Sequence, residues 1–242
     1  MNEPIENNSQ IEVKELITLD EQRLAREVFD EIWPLEGMGT EITPNLLQAM
    51  VHNGAYLAGA FVDGKIAGAA FGFASIEPEI HLHSHMAATF NKYRDKGIGT
   101  LLKNHQYTWA RERGYKSITW TFDPLVRRNA KLNIVKLGVD IIGYYPNFYG
   151  NMPDALNAGD DSDRIMVRWD LEDETPLARP LVSKYPEDCI RIAIPEDITE
   201  LRRTDPAKAK EWRQNVRLVF TKALANKREL VGFSENNEYI LA

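Results

Sequence analysis

"YRDKGIGTLL", residues 93–102, decides how this chain is read. Gly97 and Gly99 follow the cations Arg94 and Lys96 and open a run of helix-forming residues. Glycines expose consecutive backbone N–H groups without side-chain obstruction, and a helix start adds partial positive charge. That combination suits a pyrophosphate. A dinucleotide fingerprint would need a third glycine three positions after the second, where Leu102 stands. A Walker A loop would need Gly-Lys-Ser/Thr, and "GIGTLL" lacks the lysine. The bland alternative is a corner between strand and helix, with its cations in water.

The flanking sequence places this turn between a strand and a helix. "IEVKELIT" reads as a short strand. A helix then starts at Thr18, with Glu21 in capping-box spacing and Leu24, Ala25, Val28 and Ile32 on one face; Pro34 ends it. Thr43 and Pro44 open a second helix. "AYLAGAFVDGKIAGAAFGFASI" is a hairpin turning at Asp63-Gly64, and the small residues of its second arm admit a closely packed helix. "IHLHSHMAATF" continues as a strand whose period of two sends His81, His83 and His85 to one face. From Ile98 a helix with Leu101, Leu102, His105 and Trp109 in its buried stripe runs to a C-terminal Gly114.

"KSITWTFDP" is the next strand, and Asp123-Pro124 caps the helix "LVRRNAKLNIVKLG". "VDIIGYYPNFYG" and "DRIMVRWDL" are two more strands, joined through a flexible acidic segment, "DALNAGDDSD". The predicted fold class is α/β, with a mixed central sheet flanked by helices and a small C-terminal α/β extension. Residues 11–170 form the core, 171–189 a linker and 190–242 the extension. In that extension follow a strand, "CIRIAI", a helix from Pro206 to about Ala225 and a hairpin. Asp205 caps the helix, and Trp212, Val216, Phe220 and Ala223 form its apolar face. About ten polar residues without periodicity precede everything.

Composition narrows the function classes. The chain has 242 residues, 43% hydrophobic and 27% charged, an ordinary globular balance. A formal charge of −7 argues against a broad nucleic-acid-binding face. The one cysteine, Cys189, excludes an internal disulfide and a thiolate metal cluster, and reads as a small buried hydrophobe. The first residues lack the pattern of a secretory signal and no apolar run is long enough to span a bilayer, so the expected location is cytoplasmic.

With the turn and its neighbours in place, the chain resembles the GNAT superfamily of acyl-coenzyme A-dependent N-acyltransferases. The signature Arg/Gln-x-x-Gly-x-Gly/Ala is matched by Arg94, Gly97 and Gly99. The resemblance implies that Tyr93, Arg94, Asp95, Lys96, Gly97, Ile98, Gly99 and Thr100 cradle the coenzyme A pyrophosphate. It also implies that the backbone from Met86 to Ala88 pairs with the pantetheine arm. A second family pattern, Asn-x-x-Ala-x-x-x-Tyr-x-x-x-Gly, is matched at Ala130 and Gly138 but broken by Arg127 and Ile134, so the usual tyrosine acid is absent. "DPLVRRNAKLNIVKLG" and "YYPNFYG" further resemble a GNAT branch associated with N-acylamino-acid racemases. That likeness implies acetyl or succinyl transfer to an amino acid or similar small amine.

Acyl transfer to an amine needs a base, oxyanion stabilisation and an acid for the leaving thiolate. His83 and His85 are the candidate bases, because imidazole titrates near neutrality. Tyr144, Tyr145 and Tyr149 are the candidate acids, with Tyr145 preferred. Glu77 and Glu79 are alternative bases. Arg127 and Arg128 could meet phosphate or carboxylate, and Asn129 or Asn133 a ligand carbonyl; surface and backbone roles compete for all four. No metal is expected, since histidines at i and i+4 of a strand lie roughly 13 Å apart. The partners implied are a small-molecule amine and an acyl-coenzyme A, with neither nucleic acid nor membrane; whether dimerisation completes the pocket stays open. A coenzyme-binding module without turnover and a protein amine acetyltransferase are the competing readings.

Overall fold

The computed structural model describes residues 10–34, 39–150, 159–172 and 177–242. The first nine residues, the start of the acidic segment and part of the 171–189 stretch therefore lie outside the described residues. Two compact units divide between Ile118 and Thr119.

Among its described residues, the first unit has a four-stranded antiparallel sheet and three α-helices. Strand β1 (Ile11–Glu15) pairs with β2 (Tyr56–Val62), β2 with β3 (Lys65–Ser75), and β3 with β4 (His81–Thr89). The β2–β3 turn takes positive φ at Asp63 (50°) and Gly64 (77°), the geometry anticipated for an Asp-Gly hairpin. Helix α1 (Leu19–Ile32) has the predicted capping box at Thr18 and Glu21, and α2 (Pro44–His52) starts under Thr43. Ala25, Val28 and Phe29 of α1 meet Leu57, Phe61, Ala69, Phe71, Met86 and Ala88 of the sheet in one apolar core.

Helix α3 (Ile98–Glu112) packs closely on the strands, because glycines on β3 leave room for it. A Cβ on Gly68 would lie 3.0 Å from Ile98 Cγ2, and one on Gly72 3.2 Å from Gln106 Nε2. The buried face of α3 differs from the expected stripe. Leu101 is exposed, while Lys103, Gln106, Tyr107 and Ala110 face inward with Ile98, Leu102 and Trp109. Gly114 ends the helix at φ +80°, as read.

In the second unit the strand order is β5-β7-β6, with β6 (Asp140–Tyr145) antiparallel to β7 (Arg164–Asp170) after β5 (Ser117–Phe122). Helix α4 (Arg127–Ala130) runs directly into a π-helical turn, Lys131–Lys136. Strand β8 (Ile190–Ala193) forms a three-stranded sheet with β10 (Glu238–Leu241) and β9 (Leu230–Phe233). Helices α5 (Ile198–Thr204) and α6 (Pro206–Ala225) lie between β8 and β9 in the chain; α5, capped by Asp197, was not anticipated. The architecture is thus α/β, with β-sheet flanked by helices and further elements at the C-terminal end.

Four expectations in this unit are corrected. Asp123 does not cap α4: Val126 holds that position, and Asp123 is a buried carboxylate bound by Arg202 and Arg213. On α6 the core position expected for Trp212 is taken by Arg213, while Val216, Phe220 and Ala223 are buried as read. Of the acidic segment read as flexible, Asp160 and Asp163 are pinned, accepting hydrogen bonds from Arg213 and Arg217 respectively. Cys189 is half-buried rather than buried.

Candidate active site

The glycine turn is built as its sequence demands. After β4 a short 3₁₀ turn (Asn91–Tyr93) leads through an extended Arg94 to Asp95, at φ +62°, and Gly97, at φ +79°. Gly97 is the N-cap of α3, and a Cβ there would meet nothing within 4 Å. The requirement for glycine is therefore conformational: an L side chain is strained at that φ. No side chain caps this helix, so the first-turn N–H groups of Ile98, Gly99 and Thr100 keep their donors outside the helix ladder. Ile98 itself is buried and anchors the turn. The ammonium groups of Lys92 and Lys96 lie over the Tyr93 ring, 5.1 and 5.7 Å from its centroid. Asp95 and Gly97 are exposed, while Tyr93, Arg94, Lys96, Gly99 and Thr100 are half-buried. The result is an uncapped helix N-terminus beside cationic side chains, a fit for a pyrophosphate.

Met86 and Ala88 send their side chains into the α1 core, so only their backbone is available to a ligand. Just before them β4 carries a bulge. Phe71 pairs with Met86 and Gly72 with Ser84, leaving His85 as the extra residue. His83 and His85 end beside Phe73, at ring-centroid distances of 5.3 and 5.7 Å, and 6.0 Å from each other. Burial pushes both imidazoles below the usual histidine range, His83 to about 4 with help from the neighbouring charges of His85, His81 and Lys103. Both are therefore neutral at physiological pH and able to accept a proton. His85 is the more exposed. His81 is buried, with Nδ1 2.8 Å from the Glu79 carbonyl.

Lys103 is the residue that sequence reasoning missed. It is 4% exposed, and its Nζ donates to Ser84 Oγ at 2.7 Å and to Gln106 Oε1 at 3.2 Å. Burial lowers its ammonium to about 7. The available signal was its spacing: Lys103, Gln106, Tyr107 and Ala110 follow the i, i+3, i+4, i+7 rule of a buried face.

In the second unit the three tyrosines separate by environment. The Tyr144 hydroxyl donates to Asp163 Oδ2 at 2.5 Å; burial first, then that carboxylate, pushes it far above the ordinary phenol range. It is a poor proton donor. Tyr149 is 3.1 Å from Thr121 Oγ1 and carries the Arg164 guanidinium 5.2 Å from its ring centroid. Tyr145 lies across Gly143, where a Cβ would come within 2.8 Å of its ring, and packs edge-on against Phe148. Tyr145 is 39% exposed. Ile134 is fully buried packing. Asn133 Oδ1 accepts from Trp120 Nε1 at 3.2 Å, and Arg127 faces Glu196 at 3.4 Å, both structural contacts. Asn129 is half-buried on α4. Among the described residues, no group of three or more His, Cys, Asp or Glu side chains could hold a metal ion.

Residues 20–132, from α1 into the π-helical turn that follows α4, match the model of the acetyltransferase (GNAT) family, and the match includes the Arg94–Gly97–Gly99 turn. The chain has the GNAT acetyltransferase fold. Solved structures agree with it. An N-acetyltransferase from Staphylococcus aureus Mu50 is 19% identical, with 68% of this chain and 99% of that one covered at a TM-score of 0.51. The ribosomal-protein-S18-alanine N-acetyltransferase from Escherichia coli is 14% identical, with 73% and 100% covered at 0.52. A GNAT acetyltransferase from Streptococcus pneumoniae is 18% identical, with 66% and 98% covered at 0.50. No curated protein sequence matches the chain. Among the described residues, no helix of this GNAT-fold protein is long and apolar enough to cross a membrane.

Proposed function

We propose that this protein transfers an acyl group, acetyl or succinyl, directly from an acyl-coenzyme A to the amine of an amino acid or similar small molecule. The observation that carries the reading is the uncapped α3 N-terminus behind a left-handed Gly97, with Arg94 and Lys96 on its approach. Residues 11–170 would form the acyltransferase core, with 190–242 as an extension. Tyr93 to Thr100 would hold the pyrophosphate, the backbone of Met86 to Ala88 the pantetheine arm, and Asn129 a polar group of the donor. The choice of a small amine over a protein rests on the likeness of "DPLVRRNAKLNIVKLG" and "YYPNFYG" to the racemase-associated branch.

The chemistry follows from the side chains. A neutral histidine removes a proton from the acceptor ammonium; His85, the more exposed, is the base and His83 its neighbour. The freed amine nitrogen attacks the thioester carbonyl, so the C–N bond forms and the C–S bond then breaks. Tyr145 donates its phenolic proton to the departing thiolate; the nitrogen sheds its second proton, through solvent, as the intermediate collapses to the amide, which restores the phenol, and the imidazolium returns its proton to solvent. Cys189 is not required, because the acyl group never rests on the enzyme.

A thiol-release assay tests this. Acetyl-, propionyl- and succinyl-coenzyme A are each offered to D- and L-amino acids, with the wild-type protein and with Gly97→Asp. Turnover on a small amine, with coenzyme affinity lost in the variant, is the expected result. Tight coenzyme binding with no turnover on any amine would favour a binding module, and unchanged affinity in Gly97→Asp would remove the cradle.

A further inference from the structure

Beneath the His85 bulge, on the α3 side of the sheet, lies a buried polar cluster. Lys103 Nζ donates to Ser84 Oγ and to Gln106 Oε1. Ser84 precedes the bulged residue, and its strand partner is Gly72. A Cβ on Gly72 would come within 2.8 Å of the His83 carbonyl, 3.2 Å of Gln106 Nε2 and 3.3 Å of Ser84 Cα. The absent side chain is what lets the cluster close on the strand pair. Gln106 is fully buried, and among the described residues its Nε2 has no hydrogen-bond partner.

A buried lysine is costly for a fold, and an apolar side chain at this helical position would pack at lower cost. Its geometry indicates what the cost secures. Strand register is normally fixed by alternation, and a bulge breaks alternation by one residue. At this bulge Met86 must enter the α1 core while His85 stays beside Phe73 and His83. Ser84 is the last residue before the break, and Lys103 is a fixed donor on its side chain.

We infer that Lys103 is a positioning residue, holding the β4 bulge through Ser84 so that His83 and His85 stand side by side at the face where a base is needed. The assignment of a base rests on the acyltransfer reading; the positioning of the imidazoles does not. Lys103 acts through Ser84 and touches no reacting atom. Its ammonium also disfavours a proton on His83.

Two variants test the inference, Lys103→Met and Ser84→Ala. The first keeps side-chain volume and removes the donor; the second keeps the lysine and removes its contact on the strand. Histidine side-chain NMR spectra and steady-state kinetics are compared with wild type. In both variants the His83 and His85 resonances should shift, while those of His52, on α2, stay in place. kcat should fall about tenfold or more, since the base is displaced from the acceptor. Unmoved His83 and His85 resonances in the folded variants, even with a lower melting temperature, would overturn the inference and leave Lys103 a packing residue. If Lys103→Met does not fold, Ser84→Ala decides by the same resonances. If no amine is acylated by wild type, the function reading fails, and the spectra still decide the positioning.

Discussion

Asp123 and Arg213, 90 residues apart, meet through two hydrogen bonds of 2.8 and 2.9 Å inside the second unit. Arg202 adds a bond of 2.6 Å to the same carboxylate, and both arginines also hold Asp160. Burial alone would raise the Asp123 carboxyl, but the guanidinium of Arg213, and behind it Arg202 and Arg164, hold it well below the usual range. Removing one member therefore leaves charge stranded without water. Arg213→Met should destabilise the protein by about 3–5 kcal/mol, read as a lower urea midpoint. Arg213→Lys should not restore it, because an ammonium cannot reproduce the two-pronged contact. A midpoint equal to wild type in Arg213→Met would show that the network contributes nothing to stability, and one in Arg213→Lys that the two-pronged contact is dispensable.

This network also marks the limit of what the sequence discloses. Asp123-Pro124 looks like a helix start because local chemistry rewards that use. Nothing nearby says that arginines 79 and 90 residues onward will claim the carboxylate. For the same reason Trp212 outranks Arg213 as a core candidate until its ionic partners are seen. Lys103 was hidden by the ordinary expectation that a helical lysine faces water. The Gly97 turn and the Asp63-Gly64 hairpin, by contrast, were legible because each needs only backbone conformations that neighbouring residues dictate.

Tyr144 and Tyr145 are adjacent but should respond oppositely to loss of the hydroxyl. Tyr145→Phe should lower kcat about 100-fold with little change in stability, in line with loss of a general acid. Tyr144→Phe should leave kcat near wild type but cost about 1–3 kcal/mol, since Asp163 loses a buried donor. Thiol-release kinetics paired with thermal melts separate the two. Loss of kcat in Tyr144→Phe alone would reverse the assignment.

At the start of α1, Glu21 accepts from the backbone N–H groups of Ile17 and Thr18 and pairs with Lys14. The Thr18 backbone contact foremost, then Lys14, holds its carboxyl down at about 2 against an ordinary 4.5. A depressed carboxylate contributes stability fully above its unfolded value and loses it as pH falls through its folded one. Glu21→Gln should therefore be less stable than wild type at neutral pH, and the gap should close between about pH 4.5 and 2. Thr18→Ala should cost about 1 kcal/mol by removing the reciprocal cap. Denaturation curves across that pH range check both, and a gap independent of pH would exclude the Glu21 contribution.

Lys103 gives the opposite region of the pH scale its own signature. Burial brings its ammonium to about 7 from an ordinary 10.5. Between those values the unfolded chain binds a proton that the folded chain has released, so stability rises with pH. Below about 7 both states are mostly protonated and the slope vanishes. Lys103→Met has no such group. Its stability relative to wild type should therefore fall as pH climbs from about 7 to 9, by on the order of 2 kcal/mol. Urea unfolding of the two proteins at matched pH reads this difference directly. Parallel stability curves would mean that the ammonium keeps its solution affinity for protons, and that Lys103 is not desolvated beneath the β4 bulge.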